Sequence, residues 1–165
     1  MLEHFRTMAR YNAWANRRLY AAASAMGADV HAETGAVFRT MHSTLNHILV
    51  ADRIWMHRFT GNGPTYSRLD AEPCATLDEL RAARDAEDGR IRTYVDALDE
   101  DAVASTFTYR RVSEPGAPIT QRLAPALAHL FNHQTHHRGQ AHTILTTLGH
   151  DAPAMDLVFY TREAA

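Results

Sequence analysis

Five of the eleven histidines in this 165-residue sequence, His129, His133, His136, His137 and His142, fall within fourteen residues. His133 and His137 are four apart. On a helix that spacing puts two imidazoles on one face, one turn apart, with Cβ atoms about 5–6 Å from each other. So placed, they can chelate one divalent ion. They also lie in an apolar row, Ala126, Leu130, His133, His137, Ala141, Ile144 and Leu148. Burying two histidines together is costly unless they are neutral and hydrogen-bonded, or bound to a metal.

The run His133-Gln-Thr-His-His137 has the outline of the metallopeptidase pattern H-E-x-x-H, with Gln134 where the glutamate would be. That glutamate is the general base of such peptidases. A glutamine cannot take a proton, so peptidase chemistry of this type is not expected. A catalytic zinc site commonly has three protein ligands and one open position. The best third candidate is His47, beside an apolar stripe in an earlier helix. By itself His47 reads more readily as a hydrogen-bonded core histidine than as a ligand. His136 is rotated about 100° from His137 and reads as a neighbour or surface residue. His42, His57, His129 and His142 have no matching partner and read as structural or surface residues. His4, His31 and His150 sit near element ends and are expected to be exposed. Asp52 has two readings, an acceptor that orients a ligand imidazole or a helix-face salt bridge. Cys74 precedes a helix cap, which could lower its pKa; a plain small residue is the preferred reading.

Four helical segments must position these groups. Residues 3–26 repeat Phe5, Met8, Ala9, Asn12, Ala15, Asn16 and Leu19 at three- and four-residue steps, with Gly27 as a stop. Residues 36–60 carry Met41, Leu45, Ile48, Asp52, Trp55 and Phe59 on one stripe. Thr44, His47, Ala51, Ile54 and Arg58 lie beside it, and Gly61-Asn-Gly-Pro64 ends the segment. Thr76-Leu-Asp-Glu79 fits a capping box and opens a helix to about residue 98. The polar side of that helix, Arg81, Arg84, Asp85, Asp88, Arg90 and Arg92, reads as solvated. Thr106-Phe-Thr-Tyr109, the turn signal Glu114 to Pro118, and Ile119-Thr120 predict a short β-hairpin or extended loop. A fourth helix follows over 121–148, Pro125 being tolerable only near its start. The tail around Leu157-Val-Phe-Tyr160 is expected to pack back on the helices. Together these predict an all-α four-helix bundle with the hairpin between helices 3 and 4. The joins 61–75 and 99–120 are long enough for crossovers.

Composition narrows the function. Lysine and arginine total 17, aspartate and glutamate 19, for a net charge of −2. That offers no general attraction to nucleic acid or anionic lipid. A single cysteine excludes a disulfide scaffold and a Cys-rich zinc module. No signal peptide and no run of about 20 apolar residues is visible. A single cytoplasmic domain over 1–165 is therefore expected. Phosphate-loop, dinucleotide-binding and nucleophile-elbow motifs are missing.

Three segments carry a family likeness: Tyr11-Asn-Ala-Trp-Ala-Asn-Arg-Arg-Leu19, Leu45-Asn-His-Ile-Leu-Val-Ala-Asp52, and Asn132-His-Gln-Thr-His-His-Arg-Gly-Gln140. With the tail Asp156-Leu-Val-Phe-Tyr160, the chain resembles the DinB/YfiT-like metalloenzyme family, the DinB branch in particular. The resemblance implies a four-helix bundle with a metal near one end, held by one histidine of the second helix and two of the last. These fall on His47, His133 and His137. It also implies a homodimer. The family name refers to DNA-damage induction of one member, which says nothing of the chemistry. Relatives include thiol-dependent transferases and isomerases.

The expected activity is therefore that of a Zn²⁺ or Ni²⁺ enzyme. It would carry out hydrolysis or thiol transfer on a small electrophile, with a low-molecular-weight thiol as a possible cosubstrate. The alternative is a non-catalytic, stress-associated dimer that binds metal or a partner. DNA binding is not expected.

Overall fold

The computed structural model describes residues 1–112 and 116–163. The chain is mostly helical, with one small two-stranded sheet. In chain order it runs α1 (Leu2–Ala25), a 3₁₀ turn (Gly27–His31), α2 (Met41–Thr60), α3 (Leu77–Asp96), α4 (Glu100–Ala104), β1 (Thr106–Tyr109), β2 (Ile119–Arg122), α5 (Leu123–Thr147) and α6 (Leu157–Glu163). The long helix α1 packs on α3 and α5, and α2 packs on α5 and α3.

Local chemistry explains most boundaries. At the start of α3, Thr76 Oγ1 accepts from the Glu79 N–H, and Glu79 accepts from the Thr76 N–H at 3.1 Å. This is the expected capping box. The second helix starts at Met41 rather than 36. Thr40 is extended and caps Ser43 N–H, a role no upstream residue of 36–39 fills as well. Residues 34–39 instead form a tight turn, in which the Arg39 carbonyl accepts from the Thr34 N–H at 2.7 Å and Arg39 has φ 65°. Gly61 closes α2 in the left-handed conformation. The hairpin forms, pairing Thr106 with Arg122 and Tyr109 with Ile119. It takes residues 121 and 122 from the expected fourth helix. Of its turn signal, Glu114 and Pro115 lie outside the described residues.

The tail does pack back on α1. Tyr160 meets the Tyr11 and Trp14 rings at 6.0 and 5.8 Å, and the Trp14 indole N–H donates to Glu163 at 2.7 Å. Leu157, Val158 and Phe159 stay exposed on the outer side of α6.

The core is divided. One apolar cluster includes Leu19, Leu45, Leu49, Leu80 and Ile144; the other includes Phe5, Met56, Ile91, Leu127 and Phe131. On each long helix, buried polar residues lie between the two sets. They are Asn12 and Asn16 on α1, Asp52 on α2, Arg84 and Asp88 on α3, and Gln134 and Arg138 on α5. Arg84 pairs with Asp52 at 2.5 Å and with Asp88 at 2.9 Å. Asn12 and Asn16 each donate to Asp88 at 3.0 Å, and Arg138 donates to Asn12. The expectation that Arg84 and Asp88 are solvated is therefore wrong. They are 2% and 5% exposed. Each occupies a step in the inward row Leu80, Arg84, Glu87, Asp88, Ile91, Val95. Burying their charges is tolerable because two acids and two guanidinium groups neutralise one another in the same layer.

Candidate metal centre

Helices α2 and α5 pack against each other and carry the three histidines. His47, on α2, is buried. His137 is buried on α5, and His133, one turn earlier, is partly exposed. One ring nitrogen of each lies within 4.8 Å of those of the other two. The structure thus brings together all three histidines singled out by spacing and resemblance.

The backs of two rings are anchored. His47 Nδ1 lies 2.8 Å from the Leu69 carbonyl, which can only accept, so a neutral His47 carries its proton on Nδ1. His137 Nδ1 donates to Gln140 Oε1 at 2.7 Å. Both Nε2 lone pairs then point forward, and these two atoms are 3.2 Å apart. Two neutral acceptors facing at that distance repel unless a cation lies between them. The alternative, a shared proton, is opposed by burial, which lowers both pKa values. His133 Nδ1 is buried and has no hydrogen-bond partner among the described residues. Burial, and then the neighbouring His137 and His47, push the His133 pKa down to about 3. All three imidazoles are neutral at pH 7, the form that binds metal.

The spacing fits a divalent ion. Two nitrogens at about 2.05 Å from a tetrahedral zinc are about 3.3 Å apart, close to the 3.2 Å between His47 and His137. The donor set is all nitrogen, which suits Zn²⁺ and Ni²⁺.

Several contributors were not visible in the spacing. The Phe38 ring stacks on His47 at 3.9 Å between centroids and meets His137 edge-on at 5.6 Å. The strained turn at Arg39 positions it. Leu69 supplies its carbonyl from the irregular 61–75 join. Gln140 bridges His137 and His136, its amide donating to His136 Nε2 at 3.2 Å. His129, read as structural or surface, sits one turn before His133, with ring centroids 5.8 Å apart. Its own four-residue step to His133 was the available signal.

Two other expectations are settled by geometry. Asp52 orients no imidazole; it is wholly buried and paired with Arg84. Cys74 is buried in the core, and burial raises its thiol pKa rather than lowering it. Gln134, at the position of a peptidase base, is wholly buried beside Asp52.

His133 opens onto a cleft of about 270 Å³ that it shares with Trp55, Arg58, Leu69 and His129. The cluster therefore has a closed side, under Phe38, and a side facing solvent.

A model of the DinB family matches residues 1–165. The chain is also 24% identical to Protein DinB of Bacillus subtilis (strain 168) over 155 residues, covering 91% of this chain and 89% of that protein. The chain belongs to the DinB family.

Proposed function

We propose, from this membership and the three-imidazole cluster together, that the chain is a divalent-metal-dependent enzyme acting on a small electrophile by hydrolysis or thiol transfer. His47, His133 and His137 hold Zn²⁺ or Ni²⁺. The observation that carries the reading is the pair of Nε2 atoms 3.2 Å apart, each with its far nitrogen anchored to an acceptor. Bound there, the ion supplies Lewis acidity, lowering the pKa of a water or thiol that takes the remaining position.

The protein's part is positional. The Leu69 carbonyl and Gln140 hold two rings in one tautomer and orientation, as outer partners of ligand histidines commonly do. Phe38 keeps water off one side. The cleft at His133 admits the electrophile. His133, held neutral, leaves its lone pair available. Among the described residues that line the cleft none is an acid that matches a peptidase base, so a small substrate is preferred over a peptide.

The four long helices are read as one four-helix bundle forming a single domain. The exposed row Leu157, Val158 and Phe159 supports a homodimer. No described helix is long and apolar enough to cross a membrane. The net charge of −2 supports a protein that does not bind nucleic acid, and the single cysteine fits a reducing, cytoplasmic setting.

Elemental mass spectrometry on untagged protein tests the reading. About one Zn or Ni per chain is expected in the wild type and none in His133→Ala/His137→Ala. Unchanged, tight metal binding in His47→Ala would remove that residue from the set. A wild type that takes up neither ion on titration would end the metal-enzyme reading.

A further inference from the structure

The wall of the His133 cleft carries a cation that the proposed metal chemistry does not use. Arg58 packs against two neighbouring rings, its guanidinium carbon 4.5 Å from the Trp55 centroid and 4.5 Å from that of Tyr109, the two centroids being 5.4 Å apart. Both rings thus hold the guanidinium from one side by cation–π contact. Its edge is nearly free: one N–H reaches the Arg110 carbonyl, at 3.3 Å. Among the described residues no aspartate or glutamate pairs with it. The described cleft lining, which includes Arg111, His129 and His133, contains no acid. Partial burial without a carboxylate lowers the Arg58 pKa through lost hydration.

Elsewhere in this fold the buried guanidinium of Arg84 is matched by Asp52 and Asp88. Arg58 is held by two rings and has no carboxylate partner among the described residues, and it lines the cleft that His133 enters. A guanidinium fork suits a carboxylate, which accepts two parallel N–H bonds. One guanidinium charge matches a monoanion. Ala51, Ile54 and Trp55 offer apolar surface beside it.

We propose that the cleft selects small substrates bearing a carboxylate, with Arg58 binding that group while the reacting end lies at His133. The inference deepens the metal-dependent reading and rests on it for where the reacting end sits. Arg58 is thus a specificity residue, and the substrate or cosubstrate is a short-chain organic acid with an apolar body.

Two arms test it independently. In the first, Co²⁺-loaded protein is titrated with 3-mercaptopropionate and with 2-mercaptoethanol, following thiolate-to-cobalt absorption. The acid is expected to bind at least about tenfold tighter, the range of a charge-assisted hydrogen bond. That preference should fall toward unity in Arg58→Met and partly survive in Arg58→Lys. A preference unchanged in Arg58→Met would mean that the acid chelates the metal by itself, and would overturn the proposal. In the second, metal-free protein is titrated with 3-phenylpropionate and its amide by NMR. Shifts at Trp55 and His129 with the acid only, weakened by Arg58→Met and by added NaCl, are expected. Equal response to acid and amide would overturn it. If Co²⁺ does not bind but the acid does, the metal reading fails and Arg58 stands. Melting curves by circular dichroism confirm that both variants fold.

Discussion

Lowering the pH from 7.5 to 5.5 should weaken Zn²⁺ or Ni²⁺ binding by less than about a hundredfold. Three ordinary histidines of pKa about 6.5 would each be about ten-elevenths protonated at pH 5.5, and competition by three protons would cost about a thousandfold between the two pH values. In this fold His133, pushed down to about 3, carries no proton at 5.5. Removing it from the competition leaves at most about a hundredfold. Burial lowers His47 and His137 as well, which reduces the loss further. The same shifts set the stability of the metal-free protein. A histidine whose folded pKa lies below its unfolded value contributes fully above about 6.5 and loses that contribution as pH falls from there toward about 3. His133 alone makes this roughly 1 kcal/mol per pH unit within the window. The assay is competition against a chelating indicator at pH 7.5, 6.5 and 5.5, corrected for protonation of the indicator. A thousandfold loss, with a limiting slope of three protons per ion, would refute the reasoning, because the rings would then be solvated.

Other outcomes follow from the packing. Asp52→Ala should destabilise the fold by about 3–5 kcal/mol in urea titrations, because Arg84 is left buried with one partner fewer; Asp52→Asn, which keeps a carbonyl acceptor for Arg84, should recover part of that loss, and a variant no better than Asp52→Ala would sink the account. Cys74 should resist a thiol reagent in the native protein and react on unfolding, since burial raises its pKa; rapid native labelling would contradict this. Phe38→Ala should speed metal loss to excess chelator several-fold, by uncovering His47 and removing a ring contact of about 0.5–1.5 kcal/mol, and an unchanged rate would show that the turn at 34–39 does not shield the site.

Much of this architecture could be read along the chain because its causes are local. The Thr76 capping box, the Gly61 stop and the hairpin strands depend on residues within a few positions of one another. The His133/His137 pair was legible for the same reason: a four-residue step on a helix defines a face whatever the partner. Errors arose where a local rule met a tertiary competitor. Charged Arg84 and Asp88 look solvent-facing by composition, yet they occupy inward steps of α3. The Asp52 carboxylate that makes Arg84's burial tolerable belongs to another helix. The start of α2 moved to Met41 because residues 34–39 form a turn whose Phe38 covers His47.

His47 marks the division between the two kinds of information. Periodicity placed it beside an apolar stripe but left it either a ligand or a satisfied core residue, and family resemblance favoured the first. Neither could supply the Leu69 carbonyl that fixes its tautomer, or the 3.2 Å approach of its Nε2 to that of His137 across 90 residues of chain. Distances of that kind depend on how two helices cross and on where an irregular join returns, and those follow from the summed packing of all four long helices. The residue types and the face they share are properties of a short stretch of chain; the three-sided cluster, its closed side and its charged cleft exist only once distant stretches meet.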